Sequence, residues 1–138
     1  MATFNKFNSF VEALAEKVHN LGSDTLKVML TNTAPVATNA VKADITEISA
    51  GNGYTAGGGT AAITSSSQTG GTYKLVLADV VFTATGAIGP FRYAVLYNDT
   101  ATNKELIGWS DYGSSFTLAN GETFTVDFSA TNGVLTIV

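Results

Sequence analysis

From Asp24 to the carboxyl terminus the chain consists of short apolar runs with a period of two, cut apart by turn-forming residues. Leu26, Val28 and Leu30 alternate with Thr25, Lys27, Met29 and Thr31, and the run stops at Asn32-Thr33-Ala34-Pro35. Comparable runs lie at Thr60–Ser65, Tyr73–Leu77, Val80–Ala84, Phe91–Tyr97, Glu105–Asp111, Phe116–Leu118, Glu122–Ser129 and Val134–Val138. A period of two places successive side chains on opposite faces of a strand, which no helix can satisfy. Strands repeated at roughly 8–12-residue spacing with turns between them predict a sandwich or barrel. Asn120-Gly121 and Asn132-Gly133 suit the type I′ geometry of tight hairpins. The second of them predicts that ETFTVDFS and GVLTIV pair with each other, with Phe124, Val126 and Phe128 facing the core.

Ahead of the strands one segment has helical spacing. Ser9 and Glu12 stand at capping-box distance, and Phe10, Val11, Leu14, Val18 and Leu21 follow at steps of three and four. Gly22 offers a left-handed cap, so the expected helix runs from about Ser9 to Asn20. Residues 36–59 are irregular, with Ile45 and Ile48 expected to pack inward. Within Ala50 to Thr60 the glycines predict a flexible loop, anchored only by Tyr54. The predicted fold is mainly β: a single jelly-roll-like antiparallel β-sandwich domain over residues 1–138 with one amino-terminal α-helix. A chain of 138 residues buries roughly two-thirds of its unfolded surface as one domain.

Composition narrows the chemistry. There is no cysteine, one histidine (His19), and 13% charged residues with a net charge of −4. Disulfides, thiolate metal sites and a cysteine nucleophile are thereby excluded. Seven Lys and Arg, scattered singly, give no basic stripe, which argues against nucleic acid. No apolar run approaches the ~20 residues that cross a bilayer, and no basic segment followed by an apolar one opens the chain. A soluble protein made in a cytoplasm is expected, without membrane contact.

The polar groups suggest little chemistry when taken one by one. His19 lies near the end of the predicted helix, where the helix dipole favours an imidazolium or the side chain is simply exposed. A lone histidine makes a zinc site improbable. Gly108-Trp-Ser-Asp-Tyr-Gly113 partly resembles a nucleophile elbow but lacks the second glycine of G-x-S-x-G and a following helix. Gly51-Asn-Gly53 opens like a dinucleotide loop without its helix. Asp99 with Asn98, Asn103 and Glu105 supplies oxygen ligands that a calcium-like cation would accept, although ordinary turn chemistry explains them equally. Asp111 and Asp127 are too indeterminate in separation to support glycoside cleavage. No catalytic residue, cofactor or metal is assigned, and the chain is expected not to be an enzyme.

The aromatics divide between core and contact surface. Phe91, Tyr93, Val95 and Tyr97 alternate with Arg92, Ala94 and Leu96, one face of a strand being aromatic and suited to a core. The contrasting reading is an exposed platform of Tyr97, Trp109 and Tyr112 that contacts a sugar or a partner, a task for which such rings are favoured. Phe4 and Phe7 precede the helix as an arm that orders on docking or as a cap on the domain's own core. Phe4, Phe7, Tyr54, Tyr97, Trp109 and Tyr112 are the candidate interface residues.

FNSFVEALAEKVHNLGSDTLKVMLTNTAP, ADITEISAGNGYTAGG, GPFRYAVLYNDT and LIGWSDYGSSFTLANGETFTVDF resemble, in that order and over nearly the whole chain, small virion structural proteins of tailed bacteriophages. The resemblance implies first a capsid-decorating (cement) protein of jelly-roll-like fold, and next a minor tail or fibre component. It implies a homo-oligomer with the major capsid protein and copies of itself as partners. The implied location is the outer surface of the capsid, after synthesis in the bacterial cytoplasm. A cement protein acts by burying interface, a task that needs no titrating group. A carbohydrate-binding module using Tyr97, Trp109 and Tyr112 is the alternative from another class.

Overall fold

In a computed structural model, which describes residues 2–138, the elements follow in the order β1 (Thr3–Lys6), α1 (Ser9–Ala15), β2 (Leu26–Thr31), a single 3₁₀ turn (Lys42–Asp44), β3 (Gly59–Ala61), β4 (Ile63–Thr69), β5 (Thr72–Leu77), β6 (Val80–Thr83), β7 (Ile88–Asn98), β8 (Leu106–Leu118), β9 (Thr123–Val126) and β10 (Leu135–Ile137). With 47% strand and 7% helix the molecule is mainly β. The strands form antiparallel sheets ordered β1-β8-β7-β2-β3, β10-β5-β4 and β6-β9, in a sandwich-like arrangement. The expected sandwich with one α-helix is therefore present; its division into sheets of five, three and two goes no further toward a jelly roll.

The main core lies between the five-stranded sheet and the two smaller ones. Leu26, Val28 and Leu30 of β2, Ala94 and Leu96 of β7, Leu75 and Leu77 of β5, and Val80 and Phe82 of β6 meet there. Phe10 of α1 and the following Leu21 close one end. The second face of β2 and β7 is not wet. Met29, Val95 and Tyr97 form a second, smaller core with Phe7 and Leu106 on the far side of the same sheet. Segment 36–45 covers that side: Ala37 accepts from Asn8 N–H, Ala40 from Leu106 N–H, and Lys42 N–H donates to Lys104. A sheet buried on both faces needs apolar residues on both, which is why Met29 is as deeply buried as its neighbours.

Register breaks distribute side chains between the two cores. β7 and β8 slip between Phe91 and Tyr93 and again between Leu96 and Tyr97. Phe91 consequently joins the main core while Val95 and Tyr97 face the other way, so the expected single aromatic face does not exist. The second slip lets Leu106 and Trp109, three residues apart, share one side. β8 is one strand of 13 residues where two short ones were expected, and β1 is an additional edge strand paired with it.

The helix is shorter than its pattern. α1 ends at Ala15, with Lys17 at φ 69°. Val18 N–H bonds to Ala13 and Lys17 N–H to Leu14, the paired bonds of a Schellman end. Lys17 thus does what the sequence pattern assigns to Gly22. The expected capping box is likewise absent: the cap position is Asn8, its backbone is helical, and no side chain caps the helix. The final hairpin is also corrected. β9 pairs with β6 and β10 with β5, so Asn132-Gly133 carries the chain between sheets. Phe124, Val126 and Phe128 do pack on the main core.

Candidate functional site

The glycine-rich segment 50–60 is a clasp, a correction to the flexible loop expected. Tyr54 is 2% exposed, and its ring packs on Phe82 with centroids 5.6 Å apart. Its hydroxyl accepts Leu30 N–H at 3.0 Å and donates to Glu47 Oε1 at 2.8 Å. The same oxygen accepts Gly57 N–H, and Tyr97 donates its hydroxyl to Gly57 O at 2.6 Å. Lys42 completes the set with an ion pair to Glu47 at 3.3 Å. Burial, with the Glu47 charge beside it, pushes the Tyr54 hydroxyl far above its ordinary range, and burial does the same for Tyr97. Both phenols stay protonated donors that tie the clasp to β2 and β7.

A second polar cluster lies where α1 meets the turn between β7 and β8. Asn98 is fully buried. Its Oδ1 accepts Thr100 N–H at 3.0 Å and Ala101 N–H at 3.2 Å. Its Nδ2 donates to Asp24 Oδ2 at 2.7 Å and reaches His19 Nδ1 at 3.0 Å. His19 is 5% exposed and stacks on Phe10 with centroids 5.3 Å apart, contrary to the exposed or dipole-stabilised role expected. The shortened helix explains this: the chain turns at Lys17 and carries residue 19 inward. Burial lowers the imidazole below its ordinary value, outweighing the opposing charges of Glu105 and Asp24. His19 Nε2 and Glu105 Oε2 are buried without a hydrogen-bond partner. Beside them opens a cleft of about 530 Å³, lined among others by Leu14, Lys17, His19, Asp24, Tyr73 and Ile137.

Two further acids, Asp99 and Asp111, are held by basic side chains. Asp99, weighed as part of a cation site, lies 3.3 Å from Lys27 Nζ and 3.2 Å from Lys104 Nζ, while Asn98 turns inward, so the oxygen cage of that alternative does not form. Burial works to raise the Asp99 carboxyl, but Lys104 and Lys27 hold it below the usual range. Asp111 takes both arms of Arg92, Nε at 2.8 Å and Nη2 at 3.0 Å, and accepts Gly113 N–H. The guanidinium, followed by that N–H, holds its carboxyl low. Among the described residues no three His, Asp or Glu side chains come together as a metal site requires. Among the same residues no helix is long and apolar enough to cross a membrane.

The six candidate interface residues do not form one surface. Phe7, Tyr54 and Tyr97 are buried in the chain's own cores at 0%, 2% and 1% exposure, and offering them as contact residues is corrected. Phe7 stacks on Trp109 with centroids 4.6 Å apart. Phe4, Trp109 and Tyr112 are half-buried. Tyr112 meets Phe124 edge-on at 4.9 Å on the main-core side, whereas Trp109 faces the second core. Tyr97, Trp109 and Tyr112 therefore make no common platform. The Glu47 clasp and the His19–Asn98 cluster escape sequence reading because Tyr97 and Asn98 lie far along the chain from the residues they hold, and the nearer members match no spacing rule. The lone histidine was the only signal available. No protein-family model, no curated protein and no solved structure matches this chain.

Proposed function

We propose that this chain is a non-enzymatic structural protein of a tailed-phage virion, of the capsid-decorating type. It would sit on the outside of the head, in contact with the major capsid protein and with copies of itself. The observation that carries the reading is where the charged and hydroxyl groups go. Glu47, Tyr54 and Tyr97 fasten a loop, Asp99 is held by two lysines, and Asp111 is held by Arg92. Polar side chains used in this way make a rigid body, and a rigid body loses little conformational entropy when it docks. The five-stranded sheet ends on β1 and β3 and the three-stranded one on β10 and β4, and edge strands suit lateral contact with another chain. The likeness of FNSFVEALAEK and GPFRYAVLYNDT to phage virion proteins supplies the partner class.

The test is reconstitution. Capsid shells stripped of this protein should bind it back in a fixed ratio and withstand a higher temperature than bare shells. Protein that stays in the supernatant, or shells whose melting is unmoved by it, would contradict the reading. A copy that instead sediments with isolated tails would assign it to the tail.

A further inference from the structure

The hydrogen bonds around Asn98 determine where the proton of His19 sits. Two backbone N–H groups, those of Thr100 and Ala101, point at the amide oxygen, so the NH₂ end must face the other way. One of its hydrogens goes to Asp24 Oδ2 and the other to His19 Nδ1. Nδ1 is therefore an acceptor, and the neutral ring carries its hydrogen on Nε2, a buried nitrogen without a partner in either protonation state. The bond from Asn98 to His19 requires a bare Nδ1, and the other three bonds hold the amide in the orientation that makes it. These contacts join the 19–24 segment, between α1 and β2, to the distant 98–104 turn.

We propose that His19 is a proton-operated latch on the turn between β7 and β8. A proton from solvent binds the lone pair of Nδ1 and converts imidazole to imidazolium, leaving an N–H aimed at the Asn98 N–H. Two donors facing each other at 3.0 Å cannot bond, and a buried donor left without an acceptor is costly. Asn98 must rotate or withdraw. Either movement releases its oxygen from Thr100 and Ala101 and its nitrogen from Asp24, so the turn and the 19–24 segment loosen together. The charged groups around the ring are Asp24 ahead of β2, Glu105 at the entry to β8, and Lys17 behind α1, with Tyr73 of β5 on the wall of the same cleft. The two carboxylates favour the imidazolium, while burial, with the Phe10 ring packed on the imidazole, opposes it. A latch of this kind would make the cleft between α1 and β5 sensitive to acid.

With one histidine in the chain, ¹⁵N-labelled protein gives a single pair of ring signals. At neutral pH Nδ1 should be bare and Nε2 should carry the hydrogen. On acidification the ring should titrate below 6.5, and the Asn98 side-chain amide and the Thr100 and Ala101 backbone amides should shift with the same midpoint. His19→Asn offers an amide oxygen near the place of Nδ1 without a titrating group, and should abolish that common shift. A hydrogen found on Nδ1 at neutral pH overturns the proposal. So does a ring titration that leaves Asn98, Thr100 and Ala101 unmoved, or a shift that persists in His19→Asn. If that variant does not fold, the titration of the unaltered chain decides alone.

Discussion

Gly58 has φ +81°, and a Cβ built on it would overlap the Val28 carbonyl oxygen. The glycine-rich segment is thus explained at this position by close approach to β2. Gly58→Ala should cost roughly 2–4 kcal/mol, since backbone strain and a backbone clash act together, as read from the denaturation midpoint. Tyr54→Phe probes the same clasp by removing one oxygen. It leaves Leu30 N–H without its acceptor, while Glu47 Oε1 keeps Gly57 N–H, and should cost about 1–3 kcal/mol. Tyr97→Phe, which frees only the Gly57 carbonyl, should cost less in the same assay. Gly108 makes a comparable case, since a Cβ there would run into the Phe4 ring. Phe4, on the edge strand β1, lies over Gly108 of the neighbouring interior strand β8.

Among the elements, α1 shows most plainly what a pattern conveys and what it omits. Phe10, Leu14 and Leu21 reach the main core as their spacing suggests, but Val11 and Val18 are exposed. The stripe was legible; the stop at Lys17 was not, because a lysine in the left-handed region is an unfavourable choice that only tertiary packing enforces. Lys17→Gly should therefore stabilise the protein by about 1 kcal/mol, measured by thermal unfolding. If α1 ran on to Asn20, the same change would destabilise it. Strand positions were mostly legible from alternation, as in β2, β5, β6 and β7. Partners were not, because Asn132-Gly133 specifies a reversal of direction and not the strand that receives it. The faces of β7 and β8 were hidden by register slips, which leave no mark in the alternation of Phe91, Tyr93, Val95 and Tyr97. The platform of Tyr97, Trp109 and Tyr112 failed for this reason.

At the scale of the whole molecule, one sheet is enclosed between two cores, and the second core is closed by β1, Phe7 and segment 36–45. Phe7→Ala should cost about 3–5 kcal/mol, because its fully buried ring also supports Trp109. Stability should depend on pH in a direction fixed by His19. The unfolded chain binds a proton at its ordinary 6.5, whereas the folded chain holds the imidazole lower. Between those values the unfolded state carries more protons, so stability is full above 6.5 and falls as pH drops through the lower value. The melting temperature should decline over that window in the unaltered chain and stay flatter in His19→Asn. A further decline should set in below the ordinary carboxylate value of 3.8, where Asp44 loses the bonds from Ala40 and Val41 N–H and Asp111 loses Arg92. In the proposed role, this body, closed on both sides of its central sheet, would cover the contacts of a larger particle. The most direct measurement is the number of copies of this chain in purified particles, determined by quantitative mass spectrometry against the shell subunit. A fixed ratio approaching one copy per lattice position is predicted; particles that are infectious and free of the chain would contradict the account.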